Sequence, residues 1–246
     1  MKKCSLLGVA ITVANYQQIT DEISLAAKTA QHLTIAPIAS HPLVLAQKNL
    51  KLKQILNSFD YVLPDSQYVR WALNLLHSTS LKNRIYGPKL LLKICSMAER
   101  NKLRIFLYGN MFNKLANSLK KKFPKLEIDG IDLKYKRIKA SYYKRLVKKL
   151  VETNAKILII GLGSPVQHEI AYCLPDIKMP IVMVGAAFDF ISGFKSQAPG
   201  WMQNIGLEWL YRLLQEPRRL WKRYLLYGPF FVLLILKRKL NFTNKE

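Results

Sequence analysis

The sequence predicts an α/β fold, a mostly parallel sheet flanked by helices. Three observations carry this. Short apolar runs alternate with amphipathic segments along the chain, the pattern of βα units. Several of those runs end in glycine. Hydrophobic residues make up 50% of the 246 positions, which suits one α/β domain, or one domain with an appendage. That apolar content excludes a disordered basic tail. The lack of any run of about 20 apolar residues argues against a polytopic membrane protein.

The elements follow in order. Lys2 and Lys3 precede an apolar stretch at residues 5–14. It is short for a signal peptide and lacks a convincing cleavage site, so Leu6, Leu7, Gly8 and Val9 are read as a first buried strand. Further strands are expected at residues 33–39, 61–63, 103–108, 156–160 and 181–184, with helical patterns between them, as over 43–58 and 114–122. Glycine directly after a buried strand lets the backbone turn sharply and approach a ligand. Gly109, Gly161 with Gly163, and Gly185 hold such positions, and in a parallel sheet these turns gather at the carboxyl edge, where ligands bind. Cys4, Cys95 and Cys173 are scattered and odd in number. They make neither a disulfide framework nor a metal cluster and point to a reducing, cytoplasmic setting.

A net charge of +24 calls for an anionic partner: nucleic acid, a phosphorylated substrate or an anionic lipid surface. Residues 114–149 hold thirteen Lys/Arg against three Asp/Glu, read as a solvated face around a helix–strand–helix. Residues 212–246 hold nine against two and include aromatics. On a helical wheel Arg218, Arg219, Lys222 and Arg223 share one arc, with Leu220, Trp221, Tyr224 and Leu225 opposite, at about 100° per residue. Such a basic amphipathic helix suits an anionic membrane surface. The apolar run 224–236, interrupted by Gly228-Pro229 and followed by Lys237-Arg238-Lys239, would span about 20 Å as a helix, short of a ~30 Å hydrocarbon core. It is expected to lie on or dip into a membrane, or else to pack on the body.

Three stretches carry candidate chemistry. Gly161-Leu162-Gly163-Ser164-Pro165 follows a strand, but Val166 denies it a full GxGxxG. It reads as a turn whose amides cradle phosphate or another polar ligand, with Gln167 opening the next helix, or as a plain strand–turn–helix. In Leu63-Pro64-Asp65-Ser66, Asp65 is either an N-cap or a general base; an ordinary Asp pKa of about 3.9 makes a weak base unless its surroundings raise it. Asp189, in Gly185-Ala186-Ala187-Phe188-Asp189-Phe190, could bind a ribose or base edge or cap a helix. There is no DxD pair, HExxH or paired Cys/His spacing, so neither metal nor cofactor is expected. Phosphate charge would then fall to Arg, Lys and helix N-termini.

These motifs, with Ala198-Pro199, Trp201-Met202-Gln203, the run from Gly206 through Glu208-Trp209 to Arg212, Gln215-Glu216-Pro217-Arg218-Arg219, Trp71-Ala72 and Arg84-Ile85-Tyr86-Gly87, together resemble the WecG/TagA/CpsF glycosyltransferase family across most of the chain. The resemblance implies a Rossmann-like fold and an inverting, metal-independent enzyme. Such an enzyme moves a sugar, often of N-acetylmannosamine type, from a UDP-sugar to a polyprenyl-diphosphate-linked sugar. It implies a peripheral protein at the cytoplasmic face of the membrane, with room for a homo-oligomer. It makes Asp65 the general base and puts Gly109, Gly161, Gly163, Ser164, Gln167, Gly185 and Asp189 around the donor. Arg84, Arg212, Arg218, Arg219, Arg223 and His41 are then candidates for holding diphosphate or acceptor. Residues 1–195 would form the core and 196–246 an appendage completing the site and touching the membrane. One departure stands out: relatives often carry Thr-x-Asn where this chain reads Ala36-Pro37-Ile38-Ala39-Ser40-His41, and the Asn position falls on Ile38 or Ala39. A UDP-glucose, other hexose or uronic acid donor is the alternative. A binding protein that has lost catalysis is a rival reading, and a nucleic-acid-binding protein, for which no reading module is present, is the least favoured.

Overall fold

The computed structural model describes residues 1–132, 140–174 and 177–243. The chain opens with β1 (Lys3–Leu6) and β2 (Val9–Thr12), an antiparallel hairpin outside the main sheet. The single first strand expected there is instead two. Leu7 and Gly8 both take positive φ, 54° and 77°, as a two-residue hairpin turn requires. Leu6 and Val9, at the closing pair, are fully buried.

Next come α1 (Tyr16–Lys28), β3 (Leu33–Ile38), α2 (Ser40–Lys48), α3 (Leu50–Asn57), β4 (Tyr61–Pro64), α4 (Gln67–His77) and α5 (Gly87–Arg100). The single helical pattern read over residues 43–58 is broken at Asn49, whose side chain accepts from Leu52 N–H at 2.9 Å and so caps α3. Then follow β5 (Ile105–Gly109), α6 (Phe112–Lys122), β6 (Ile128–Asp132), α7 (Ala140–Glu152), β7 (Ile157–Gly161), α8 (Val166–Tyr172) and β8 (Pro180–Met183). The helix–strand–helix expected over the first basic block is present as α6, β6 and α7, although Lys134, Lys136, Arg137 and Lys139 of that block lie outside the described residues.

The six-stranded sheet runs β4-β3-β8-β7-β5-β6, every pair parallel. Two buried apolar clusters cover its faces. Ile157 through Ile160 are all fully buried, which is why the central strands read as continuous apolar runs rather than alternating ones. The carboxyl ends of β3, β4, β7 and β8 therefore deliver Ala39, Asp65, Gly161 and Val184-Gly185 to one edge.

The C-terminal segment forms α9 (Ala187–Ile191), α10 (Gly200–Asn204), α11 (Glu208–Gln215), α12 (Pro217–Trp221), a π-helical turn (Lys222–Leu226) and α13 (Tyr227–Thr243). Gly228-Pro229 does not interrupt the apolar run. The chain stays helical from α12 through the π turn into α13, and the wider π turn just before Pro229 leaves room for its ring and its missing N–H. That turn also upsets the helical wheel. Arg223 is carried inward, whereas Trp221 and Leu225 are exposed. On α13 the stripe Tyr227, Phe231, Leu234 and Ile235 packs into the core, against α2 and α4. Leu233, Leu236 and Leu240 remain exposed. None of the described helices is long and apolar enough to cross a membrane.

Candidate active site

Asp65 follows β4 directly, and its N–H still bonds the Ile38 carbonyl at 3.0 Å. Capping of α4 falls to Ser66, whose hydroxyl accepts from Val69 N–H. Asp65 is thereby released from the structural role its position suggested. Its Oδ1 accepts from the Gly87 N–H at 3.0 Å. A Cβ at Gly87 would lie 2.6 Å from the Val184 carbonyl oxygen, so the close approach of β8 requires glycine there. Burial raises the Asp65 pKa; Arg84 opposes this, Glu208 adds to it, and the Gly87 N–H and Arg212 oppose it.

Asp65 lines two adjoining cavities. One, of about 290 Å³, runs between α2, α4 and the C-terminal helices; Trp209, Tyr224, Leu225, Pro229 and Val232 give it aromatic and apolar walls. His41 Nδ1, Gln67 Oε1 and Trp209 Nε1, on residues lining this cavity, are buried without a hydrogen-bond partner. The Gln67 amide nitrogen is already committed to the carbonyls of Gln203 and Asn204. His41 sits edge-on to Tyr227, and burial together with Arg223 lowers its pKa to about 4.

The second cavity, of about 430 Å³, is polar and lies over the sheet edge. Gly161, Gly163, Ser164, Gln167, Gly185 and Asp189 line it. Gln167 is buried, and its Oε1 accepts from the Gly185 N–H at 3.0 Å, pinning the turn after β8, where Gly185 has φ +57°. Gly109 does not line it. A Cβ there would meet the Gly161 carbonyl oxygen at 2.6 Å, and one at Gly161 would strike the Phe188 ring. These two glycines make room for a fully buried phenylalanine, so the glycine after β5 is a packing requirement, not a ligand contact.

The cations divide into engaged and unengaged. Arg84 donates to Glu208 Oε2 at 2.6 Å and to Gln203 Oε1 at 3.2 Å, and stacks on Tyr86. Its position is thus fixed by α10 and α11. Asp189 pairs with Lys195 at 2.7 Å, Lys195 reaches Glu216 at 3.3 Å, and Glu216 holds Arg219. Asp189 is accordingly an ion-pair partner and not a helix cap. Arg218 is exposed and lines neither cavity, which separates it from the other arginines. Arg212 and Arg223 line both cavities without a carboxylate partner among the described residues. Arg212 lies over the Phe190 ring. The pKa of Arg223 is lowered, by burial first and by Arg212 and Arg219 in part. Two enclosed guanidinium groups that act on each other, with no carboxylate in ion-pair contact among the described residues, suit an anion.

A family model described as "Glycosyl transferase WecG/TagA/CpsF family" matches residues 4–245. The chain belongs to this family. It is a glycosyltransferase. Among its relatives is the "N-acetylglucosaminyldiphosphoundecaprenol N-acetyl-beta-D-mannosaminyltransferase" of Bacillus subtilis (strain 168), 30% identical over 194 residues, 76% of this chain and 72% of the relative. The protein of the same name from Bacillus spizizenii (strain ATCC 23059 / NRRL B-14472 / W23) is 30% identical over 201 residues, 79% of this chain and 75% of the relative.

Sequence reasoning missed Glu208, Lys195 and Tyr86 as members of the site. Glu208 and Tyr86 stand inside the family motifs, but a search for cations to hold phosphate passes over a carboxylate and a phenol. Among the described residues no group of three or more His, Cys, Asp or Glu is placed to hold a metal ion.

Proposed function

We propose that this glycosyltransferase transfers an N-acetylmannosamine-type sugar from a UDP-sugar to a polyprenyl-diphosphate-linked amino sugar, with inversion and without a metal. The observation that carries this is the place of Asp65, a buried carboxylate at the seam of a polar and an apolar-walled cavity. The donor fits the polar cavity, with its diphosphate between the Gly161–Gly163–Ser164 turn and the Arg212/Arg223 cradle. The acceptor fits the apolar-walled cavity, where Gln67 Oε1 and Trp209 Nε1 offer an acceptor and a donor for a sugar. Asp65 takes the proton of the acceptor hydroxyl as its oxygen attacks the anomeric carbon on the face opposite the UDP. The guanidinium groups meet the charge that develops on the departing diphosphate. The names of the two Bacillus relatives support both the sugar and the acceptor.

We further propose that the protein works at the cytoplasmic face of the membrane as a peripheral protein. The exposed Leu225, Leu226, Leu233, Leu236 and Leu240 form an apolar surface next to Lys222, Lys237 and Lys239, a combination suited to an anionic bilayer.

One observation favours a second donor. Ile38 is buried in the core, and Ala39 lines both cavities. The site therefore presents a methyl group where relatives often place a polar side chain. A panel of UDP-sugars incubated with a polyprenyl-diphosphate-N-acetylglucosamine acceptor separates the two. UDP release is expected with UDP-N-acetylmannosamine, only when the acceptor is present. Release with UDP-glucose or a UDP-uronic acid instead would establish the alternative, and release with none of them would end both.

A further inference from the structure

Arg84 interacts with two acids. Asp65, which follows β4, shares the apolar-walled cavity with it and feels its charge, and Glu208, at the first position of α11, is in contact with it. Among the described residues its ion pair is with Glu208, at 2.6 Å, and not with Asp65. The pair is almost completely enclosed, with 11% and 13% of the two side chains exposed. Glu208 Oε1 also accepts from the Tyr86 hydroxyl at 3.3 Å, and the Tyr86 ring stacks beneath the guanidinium at 4.2 Å. Gln203 takes a further Arg84 hydrogen bond. Glu208 and Gln203 both belong to the C-terminal unit, 124 and 119 residues from Arg84.

We propose that Glu208 is a positioning residue that holds the Arg84 guanidinium off Asp65, so that the C-terminal unit, once docked, leaves the base unpaired. The inference rests on the reading of Asp65 as the base. A guanidinium released from Glu208 has one other carboxylate beside it, and a direct pair would take up the lone electron pairs that Asp65 needs to accept a proton. An opposite charge in contact typically lowers a carboxylate pKa by about 1–3 units. The groups facing Asp65 are Arg84 and Tyr86 from the segment before α5, Tyr16 from α1, Glu208 and Arg212 from α11, and Arg223 from the π turn. Tyr16 and Tyr86 stay neutral, since burial pushes both phenols upward, Tyr16 to about 12. Glu208 is thus the one further anion in this group, set against Arg84, Arg212 and Arg223. Asp65 keeps a raised pKa amid three cations because it is buried and because Glu208 offsets the nearest of them.

The test is the pH profile of kcat/KM for the full chain, measured by UDP release from UDP-N-acetylmannosamine with a polyprenyl-diphosphate-N-acetylglucosamine acceptor. Glu208→Gln is expected to move the acid limb to lower pH by about one pH unit and to lower the plateau roughly tenfold or more, as a weaker base does. Adding Arg84→Met to Glu208→Gln should move the limb back up, and Glu208→Asp should preserve it. An acid limb unmoved in Glu208→Gln, or a double variant with its limb no higher than that of Glu208→Gln, overturns the proposal even if activity falls, since a merely structural role would show in KM or melting temperature alone. Asp65→Asn separates the two readings. Full turnover in Asp65→Asn would overturn the base and this inference together, whereas an inactive Asp65→Asn with an unmoved Glu208→Gln limb would overturn this inference only.

Discussion

The two halves of the site are built on opposite plans. The core half stands on strand ends. Asp65 follows β4, the Gly161–Ser164 turn follows β7 and Gly185 follows β8; the Gly87 N–H donates to Asp65, whose own N–H donates to the Ile38 carbonyl, and Gln167 donates its N–H to the Gly163 carbonyl while its Oε1 accepts from the Gly185 N–H. The C-terminal half stands on α10, α11 and α12, five to eight residues long and without side-chain caps. It supplies Glu208, Arg212 and Arg223, and is tied to the core by the Arg84–Glu208 pair, the Asp189–Lys195–Glu216 chain and the inner stripe of α13. Rigid strand ends hold the group that needs accurate placement, while the short helices bring charge and apolar surface. Elements with few buried contacts open locally at low cost, and α10 and α11 bury no residue fully.

That contrast can be broken in several places. Ending the chain after Gln215 removes Arg223 and α13 together. Turnover should fall at least about 10³-fold, beyond the ~10²–10³ typical for loss of one charge-stabilising group, and the truncated chain should no longer sediment with anionic liposomes. A fully active, fully soluble truncate would show that α12, the π turn and α13 are dispensable. Arg223→Ala should lower kcat by roughly 10²–10³, seen in single-turnover UDP release, because its guanidinium has no protein carboxylate to serve. Leu233→Glu with Leu236→Glu should weaken anionic-liposome binding at least about tenfold, since each buried leucine is worth ~1.5–3 kcal/mol. The melting temperature should stay unchanged, as both side chains are exposed.

The smallest effect is one of stability. Burial raises the folded-state pKa of Asp65 above its unfolded value near 3.9. The stability linked to its proton is therefore full below about pH 3.9 and is lost as pH rises through the folded value. Above that value the desolvated carboxylate opposes folding. Asp65→Asn should then melt higher, by roughly 2–4 °C for each kcal/mol recovered, with the gain shrinking toward pH 4. His41 and His168 act in the opposite sense. Burial lowers each to about 4, with Arg223 also acting on His41, so the stability they contribute is present above about pH 6.5 and is lost as pH falls toward 4.

The core half was largely legible. Continuous apolar runs mark strands buried on both faces, and the turns after them marked Asp65, Gly163 and Gln167. What period and spacing could not decide was whether Asp65 caps α4, because that depends on Ser66 taking the cap one residue later. Gly109 and Gly161 looked alike for a reason invisible in the sequence: they are paired across neighbouring strands, and the ring of Phe188 packs over both. The C-terminal half was legible only in composition. A wheel drawn at a constant angle gave Arg223 and Arg218 the same face, and the π turn parts them. Glu208 and Arg84 are 124 positions apart, so no local pattern pairs them. The basic segment 114–149 is legible as helix–strand–helix, yet none of its described cations lines either cavity, and nothing in the structure explains its charge.

On the proposed mechanism Asp65 serves the chemistry and not the binding of the nucleotide. Asp65→Asn measured two ways tests it most directly: single-turnover sugar transfer, and UDP affinity by calorimetric titration on the same preparation. Transfer is expected to fall by about 10²–10⁴, the range for loss of a general base, with the Kd for UDP unchanged within a few-fold. Transfer surviving within a few-fold, or a loss of transfer matched by an equal loss of UDP affinity, would contradict it.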